Sequence, residues 1–256
     1  MKQLEQLNTE SLLTLIHKAD QSVRVSVGKC LPDIIKLVDV LVPKMKENGR
    51  LFYLGAGTSG RLGIIDASEI PPTFGVSDKV IGIIAGGDSA IRKAVEHAED
   101  DFEQGWKDLQ NFKINKNDFV IGISASGNAP YVIGAVQRCH RKKITTGCIT
   151  CNPSGLLQKE VDFPVVADTG EEIISGSTRM KAGTAQKMIL NMISTATMIR
   201  LGHVMGNRMV DMQLSNNKLI ERGTQMLCEF LKISPEEAKK ILLESGSVRK
   251  ALQGKM

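Results

Sequence analysis

Five short apolar runs, most of them ending in small polar residues, constrain this chain more than any other feature. Residues 51–54 run into Gly55-Ala-Gly-Thr-Ser-Gly60, residues 80–85 into Gly86-Gly87-Asp88-Ser89, and residues 119–123 into Ser124-Ala-Ser-Gly-Asn128. Residues 144–149 lead toward Cys151-Asn-Pro-Ser-Gly155, and residues 163–166 read as a fifth strand. Helical patterns lie between the runs, as at 91–104 and 131–140. Buried strands alternating with helices predict an α/β fold: a parallel five-stranded sheet with helices on both faces. Ligands of such sheets sit at the carboxyl ends of the strands, where the Ser/Thr/Gly loops fall.

The flanks read as helices. Leu12, Leu13 and Ile16 make one apolar face, and Ile34, Leu37, Val38 and Leu41 recur at helical spacing after Pro32-Asp33. Asn48-Gly49 is a helix stop. Downstream, the spacing of Ala182, Ala185, Ile189, Met192, Ile193, Ala196 and Ile199 predicts a long helix over 178–201. The tail after Asp211 is helical too, with Ser234-Pro235-Glu236-Glu237 combining an N-cap, a proline at the first helical position and a capping box. Aromatics are only 4% of residues, so the core must be aliphatic.

The net charge of +5 comes without a block of basic residues, which suits a phosphorylated metabolite and argues against nucleic acid. Cys30, Cys139, Cys148, Cys151 and Cys228 are odd in number and irregularly spaced, which points away from a disulfide framework and toward a reducing cytoplasm. No apolar run reaches membrane-spanning length, and the start has no continuous apolar segment of the signal-peptide kind. Cys148 and Cys151 stand three apart with no second pair or nearby histidine, so they predict neither a metal site nor a redox pair.

Several constellations carry possible chemistry. Gly55-Ala-Gly-Thr-Ser-Gly60 matches a dinucleotide fingerprint in form. However, Thr58 and Ser59 add hydroxyls that a pyrophosphate loop does not need, and the second strand ends in Ala85-Gly86-Gly87 with no acid for a ribose. Gly57, Thr58 and Ser59 in this loop, and Ser124, Ser126, Gly127 and Asn128 in the other, offer backbone amides and hydroxyls at helix starts. One such loop is an ordinary cap. Two in one sheet point to a phosphosugar held at both ends, with the phosphate placed in the loop around Ser124. Glu69, in Asp66-Ala-Ser-Glu-Ile-Pro-Pro-Thr73, sits where the double proline should stop a helix begun after Gly60, at a constrained break expected close to the glycine loop. Glu96, Glu99 and Asp100 lie on a predicted helix, and the residues alone do not choose among them. In Gly176-Ser-Thr-Arg-Met-Lys-Ala-Gly-Thr-Ala-Gln-Lys187, Ser177 or Thr178 is positioned to cap the long helix. Arg179 and Lys181 fall in its first turn, where cations are tolerated if they reach an anion.

Together these residues resemble one family. Leu54-Gly-Ala-Gly-Thr-Ser-Gly-Arg-Leu-Gly63, Asp66-Ala-Ser-Glu-Ile-Pro-Pro-Thr73 and the long motif ending at Lys187 look like the signatures of the N-acetylmuramic acid 6-phosphate etherases. The resemblance runs from about residue 31 to about residue 211. It implies a sugar isomerase (SIS) domain at 41–204, between an N-terminal helical segment at 1–40 and a C-terminal helical region at 205–256. It also implies a homodimer, and a lyase that cuts the D-lactyl ether of N-acetylmuramic acid 6-phosphate without a cofactor. The family's proton donor falls on Glu69 and its second catalytic glutamate on Glu99. Ile70 stands where cysteine is frequent in the family and Ala129 where threonine is frequent. The tail after Asp211 is shorter than usual. Two other readings share the fold. A regulatory phosphosugar binder of the kinase-inhibitor type keeps the loops and loses the glutamates, and both glutamates are here. An aldose–ketose isomerase yields a ketose phosphate and no lactate.

Overall fold

The computed structural model describes residues 3–254. Residues 1–2 and 255–256, the outer ends of the predicted terminal segments, lie outside them. Two long helices precede the sheet. In α1 (Thr9–Lys29), Asn8 caps the start by accepting from Ser11 N at 2.9 Å, and α2 (Leu31–Lys46) follows at once. The boundary predicted at residue 40 therefore falls inside α2. Leu12 and Ile16 are half-buried on the same face as buried Val23 and Val27, whereas Leu13, 61% exposed, lies off that face.

The sheet has five parallel strands in the order β2-β1-β3-β4-β5. They are β1 (Leu51–Gly55), β2 (Val80–Ile84), β3 (Phe119–Ile123), β4 (Thr145–Thr150) and β5 (Phe163–Val166). Strand alternation sorts their side chains between two cores. Leu51, Tyr53, Phe119, Ile121 and Ile149 join α1, α2 and α8 (Lys181–Arg200) in one. Phe52, Leu54, Val120 and Cys148 join α7 (Pro130–Arg141) and Leu109 of α6 (Gln104–Asn111) in the other. At the amino edge, Asp118 accepts from Arg50 N and Nε through Oδ1 and from Arg50 Nη2 and Asn115 N through Oδ2, tying the starts of β1 and β3.

Four details depart from the sequence expectations. First, α3 (Gly57–Ser68) starts inside the glycine loop, three residues before Gly60 is passed. Second, Pro71 and Pro72 lie at the start of a new turn, α4 (Ile70–Phe74), where a missing N–H costs nothing. Third, 91–104 is not one helix. After α5 (Ser89–Arg92) the chain turns, with His97 at φ 58°, and lies flat on α7: Tyr131 N donates to Glu99 O at 3.0 Å. A Cβ on Gly134 would come within 1.8 Å of Phe102 O, so α7 is built for that close approach. Fourth, α8 begins at Lys181, not at 178. Its C-terminal stripe is also incompletely buried. Ile199 is 49% exposed and, with Met192 and Ala196, faces Leu31 and Ile35 of α2 across an open apolar groove of about 670 Å³.

The last helices, α9 (Asn217–Leu231), α10 (Pro235–Ser245) and α11 (Val248–Gln253), pack around a separate core that includes Met212, Leu227, Leu242 and Leu252. Ser234 caps α10 as its motif indicates, accepting from Glu237 N at 3.3 Å.

Candidate active site

The two Ser/Thr/Gly loops are neighbours, because Gly55 and Ile123 are paired at the carboxyl ends of adjacent strands. In the first loop, Gly57 is exposed and Thr58 half-buried, while Ser59 is buried and donates its hydroxyl to Gln186 Oε1 at 3.0 Å. That bond commits Ser59 to holding α8 and leaves Thr58 to face outward. Thr58 Cγ2 lies 3.5 Å from where a Cβ on Gly183 would sit, so the start of α8 is seated beside this loop.

The second loop is a self-bonded turn. Buried Ser124 Oγ accepts from Gly127 N at 3.2 Å, and exposed Ser126 Oγ accepts from Asn128 N at 3.2 Å. Gly127 has φ 70°, which a side chain would resist, and packs on Thr150 and Gly155. Asn128 Oδ1 accepts from Leu156 N, and Asn152 Nδ2 donates to Ser126 O, so the turn is latched to the loop after β4. The N-terminus of α7 opens directly behind it. Amides at that end carry partial positive charge and suit an anion.

The start of α8 holds a residue that sequence reasoning missed. Glu172 accepts from Lys181 N through Oε2 at 3.1 Å and from Ala182 N through Oε1 at 3.0 Å. Its carboxylate thus does the capping assigned to Ser177 or Thr178, and this is why the helix starts late. Lys181 is buried, and its ammonium donates to Thr169 O at 2.7 Å, so it secures the 168–180 segment. Arg179 and Thr178 are exposed and Ser177 half-buried on that segment. A second missed group is Asp66, buried one turn before Glu69. Its Oδ1 accepts from Ser194 Oγ at 3.3 Å and lies 3.6 Å from Lys187 Nζ. Burial raises its carboxyl above the ordinary range, against the pull of Lys187.

The two candidate acids are both exposed but occupy opposite rims. Glu99 is tied through its carbonyl to the first turn of α7, at the carboxyl rim. Glu69 is not near it. Helix α3 leaves the carboxyl rim and runs down the sheet: Gly60 abuts Gly55 and Ile84, Gly63 abuts Tyr53, and Ile64 abuts Gly82. Glu69 comes nine residues after Gly60, about 13 Å further along the helix axis at 1.5 Å per residue. It is the C-cap of α3, just before α4 and the start of β2 at the amino rim.

The cysteine pair is inert by position. Burial pushes the thiols of Cys148 and Cys151 up to about 12, so both are neutral at physiological pH.

Models of known families match most of the chain. The glucokinase regulatory protein N-terminal SIS domain matches residues 33–140, the SIS domain 92–196, and the C-terminal lid domain of glucokinase regulatory protein 206–254. Among solved structures, a phosphoheptose isomerase from Francisella tularensis shares the fold. The TM-score is 0.59 at 16% identity, over 75% of this chain and 98% of that one. Sequence relatives are far nearer. The N-acetylmuramic acid 6-phosphate etherase of Christiangramia forsetii is 57% identical over 97% of this chain and 91% of its own length. That of Bacteroides fragilis is 54% identical over 97% of this chain and 89% of its own. With this likeness over nearly its whole length, on a five-stranded parallel sheet with two hydroxyl-rich loops at one edge, the chain belongs to the N-acetylmuramic acid 6-phosphate etherase family.

Proposed function

We propose that this chain is a lyase cutting the D-lactyl ether of N-acetylmuramic acid 6-phosphate, with Glu69 and Glu99 as its two catalytic acids. The carrying observation is the 57% identity to a named etherase over 97% of the chain. The isomerase reading has only a likeness of fold behind it.

The chemistry balances with water as the sole co-reactant. In the open-chain sugar the C2 proton is α to the C1 aldehyde, and the ether oxygen is on C3. Glu99 takes the C2 proton and leaves an enolate. The enolate electrons form the C2–C3 double bond as the C3–O bond breaks, and Glu69 protonates the departing lactate oxygen. Glu69, now a carboxylate, takes a proton from water as its oxygen adds to C3. Glu99 returns a proton to C2, and both acids are reset. No cofactor is required. Each positioned proton transfer contributes about 10²–10⁴-fold. The phosphate rests on the turn of Ser124, Ser126, Gly127 and Asn128 and the start of α7. Gly57 and Thr58 line the sugar side, with Ser59 tying their loop to α8, and Lys181 pins the segment of Ser177 and Arg179 that closes over it.

Glu69 and Glu99 lie on opposite rims of one subunit, so one subunit cannot apply both to one sugar. A homodimer supplies the missing half. A twofold axis across the strands sets the amino rim of one copy against the carboxyl rim of the other, so that Glu69 of one meets Glu99 of its mate. The open groove of Leu31, Ile35, Met192, Ala196 and Ile199 is the apolar surface this pairing would cover. The free buried thiols of Cys30, Cys139, Cys148 and Cys151 suit a reducing cytoplasm. Of the division into 1–40, 41–204 and 205–256, the first boundary cuts α2, whose two halves share the sheet's core, and the last sets off a distinct helical unit. The last unit has its own core.

The direct test incubates the protein with N-acetylmuramic acid 6-phosphate and measures D-lactate. Stoichiometric D-lactate with N-acetylglucosamine 6-phosphate is expected. A ketose phosphate, or binding without turnover, refutes the reading.

A further inference from the structure

Glu69 stands at one end of a stiff turn whose other end is gripped by the C-terminal helical unit. Glu69 O accepts from Thr73 N at 3.3 Å, and Pro71 O accepts from Gly75 N at 2.9 Å, so α4 is closed on itself with Pro71 and Pro72 inside it. The grip comes from residues 211–213. Gln213 N donates to Pro72 O at 3.3 Å. A Cβ on Gly75 would lie 2.1 Å from Asp211 O, so the two backbones touch, and Gly75 has φ 67°.

Asp211 in turn is a junction. Its Oδ1 accepts from Arg249 Nε at 2.5 Å and its Oδ2 from Arg249 Nη2 at 2.9 Å, a two-pronged pair. His203 Nδ1, just beyond α8, is 3.0 Å from the same Oδ2. Arg249 also donates through its backbone to Val210 O and through its guanidinium to Gly202 O. The end of α8 and the start of α11 therefore meet at the Asp211 carboxylate, which is 17% exposed, while the α4 turn rests on the backbone of residues 211–213.

From this junction we infer that the C-terminal helical unit positions Glu69 for proton delivery, with Asp211 as the positioning residue. The inference rests on the acid role proposed for Glu69. Asp211 touches no substrate; it acts by fixing where the turn, and so the carboxyl group, points. Buried Ile70 and Phe74 seat one face of the turn in the main core, and the 211–213 contacts hold its far end, so the two together set how the turn is oriented. A displacement of about 1 Å at a reacting group costs about 100-fold in rate. The loss falls on the step that needs Glu69, the departure of lactate. Removal of the C2 proton by Glu99 on the other rim is spared.

Two readouts on the full chain separate these steps: D-lactate release, and uptake of solvent deuterium at C2 of unconverted substrate. D211N keeps the volume of Asp211 and loses its charge. It is expected to slow lactate release by about 10- to 100-fold, with deuterium uptake within about twofold of wild type. R249K keeps the charge, loses the two-pronged geometry, and is expected to show the same split in milder form. If both rates fall together in proportion to the folded fraction, or if neither moves in either variant, the positioning role is overturned. E69Q is the reference. A split in E69Q with none in D211N and R249K overturns the positioning role alone. No split in E69Q overturns the acid role of Glu69, and the inference with it.

Discussion

Two inactive variants should restore each other. In the proposed homodimer, E69Q and E99Q each remove one acid from every site, and each should lose about 10²–10⁴-fold in lactate release. In a mixed dimer the arrangement differs. One site pairs the intact Glu69 of the E99Q subunit with the intact Glu99 of the E69Q subunit, and the other site has neither. Co-expression in equal amounts makes about half the dimers mixed, each with one working site of two, so the preparation should recover about one quarter of wild-type activity. Isolation of the mixed species with two affinity tags should raise this to about one half. The reasoning begins with α3, which carries Glu69 about 13 Å from the carboxyl rim where Glu99 is tied to α7. The assay is D-lactate production from N-acetylmuramic acid 6-phosphate. A mixed dimer no more active than its parents refutes the shared site.

Two further predictions concern the helices that frame the site. E172A leaves Lys181 N and Ala182 N without their carboxylate, and a lost cap costs about 1 kcal/mol, so the melting temperature should fall by about 2–4 °C; a melting curve superposing on wild type would remove Glu172 from that role. For Asp66, burial raises the folded-state carboxyl above its ordinary value of 3.8. The native state therefore binds its proton more tightly than the unfolded chain. The stability tied to that proton is complete below pH 3.8 and is lost as pH rises through the folded value. D66N should gain on wild type in urea unfolding as pH climbs from acid to neutral, and a difference that shrinks over that range contradicts the assignment.

Much of the fold was legible because strands buried on both faces read as unbroken apolar runs. All five predicted strands are present within a residue or so of their ends, and Ile34, Leu37, Val38 and Leu41 are buried as their spacing indicates. The misreadings share a cause: local pattern losing to distant contacts. Residues 91–104 have helical composition, yet the segment is held in turns by Tyr131 N and by the bare surface at Gly134. Residue 178 has a good capping neighbour, yet α8 is capped by Glu172, nine residues before its first turn and outside any capping-box spacing. The Asp66–Lys187 pair and the Asp211 junction join residues far apart in the chain, so no periodicity announces them.

The placement of Glu69, expected close to the glycine loop, is set instead by the length of α3. A helix that follows a strand in a parallel sheet must run back antiparallel to it to reach the next strand. Glu69 lies twelve residues after Gly57, and α3 spans Gly57–Ser68, about 18 Å at 1.5 Å per residue. A five-residue strand rises less than that, about 17 Å at most. An acid at the end of such a helix is therefore delivered to the amino rim, away from the hydroxyl-rich loops at the carboxyl rim. An acid in the stretch between β2 and β3 that touches the start of α7 stays at the carboxyl rim. Counting residues along α3 thus separates the two carboxylates before any side chain is placed. A chemistry that needs both then requires either a second copy or a different pair of acids, and restored activity in the mixed dimer decides between them.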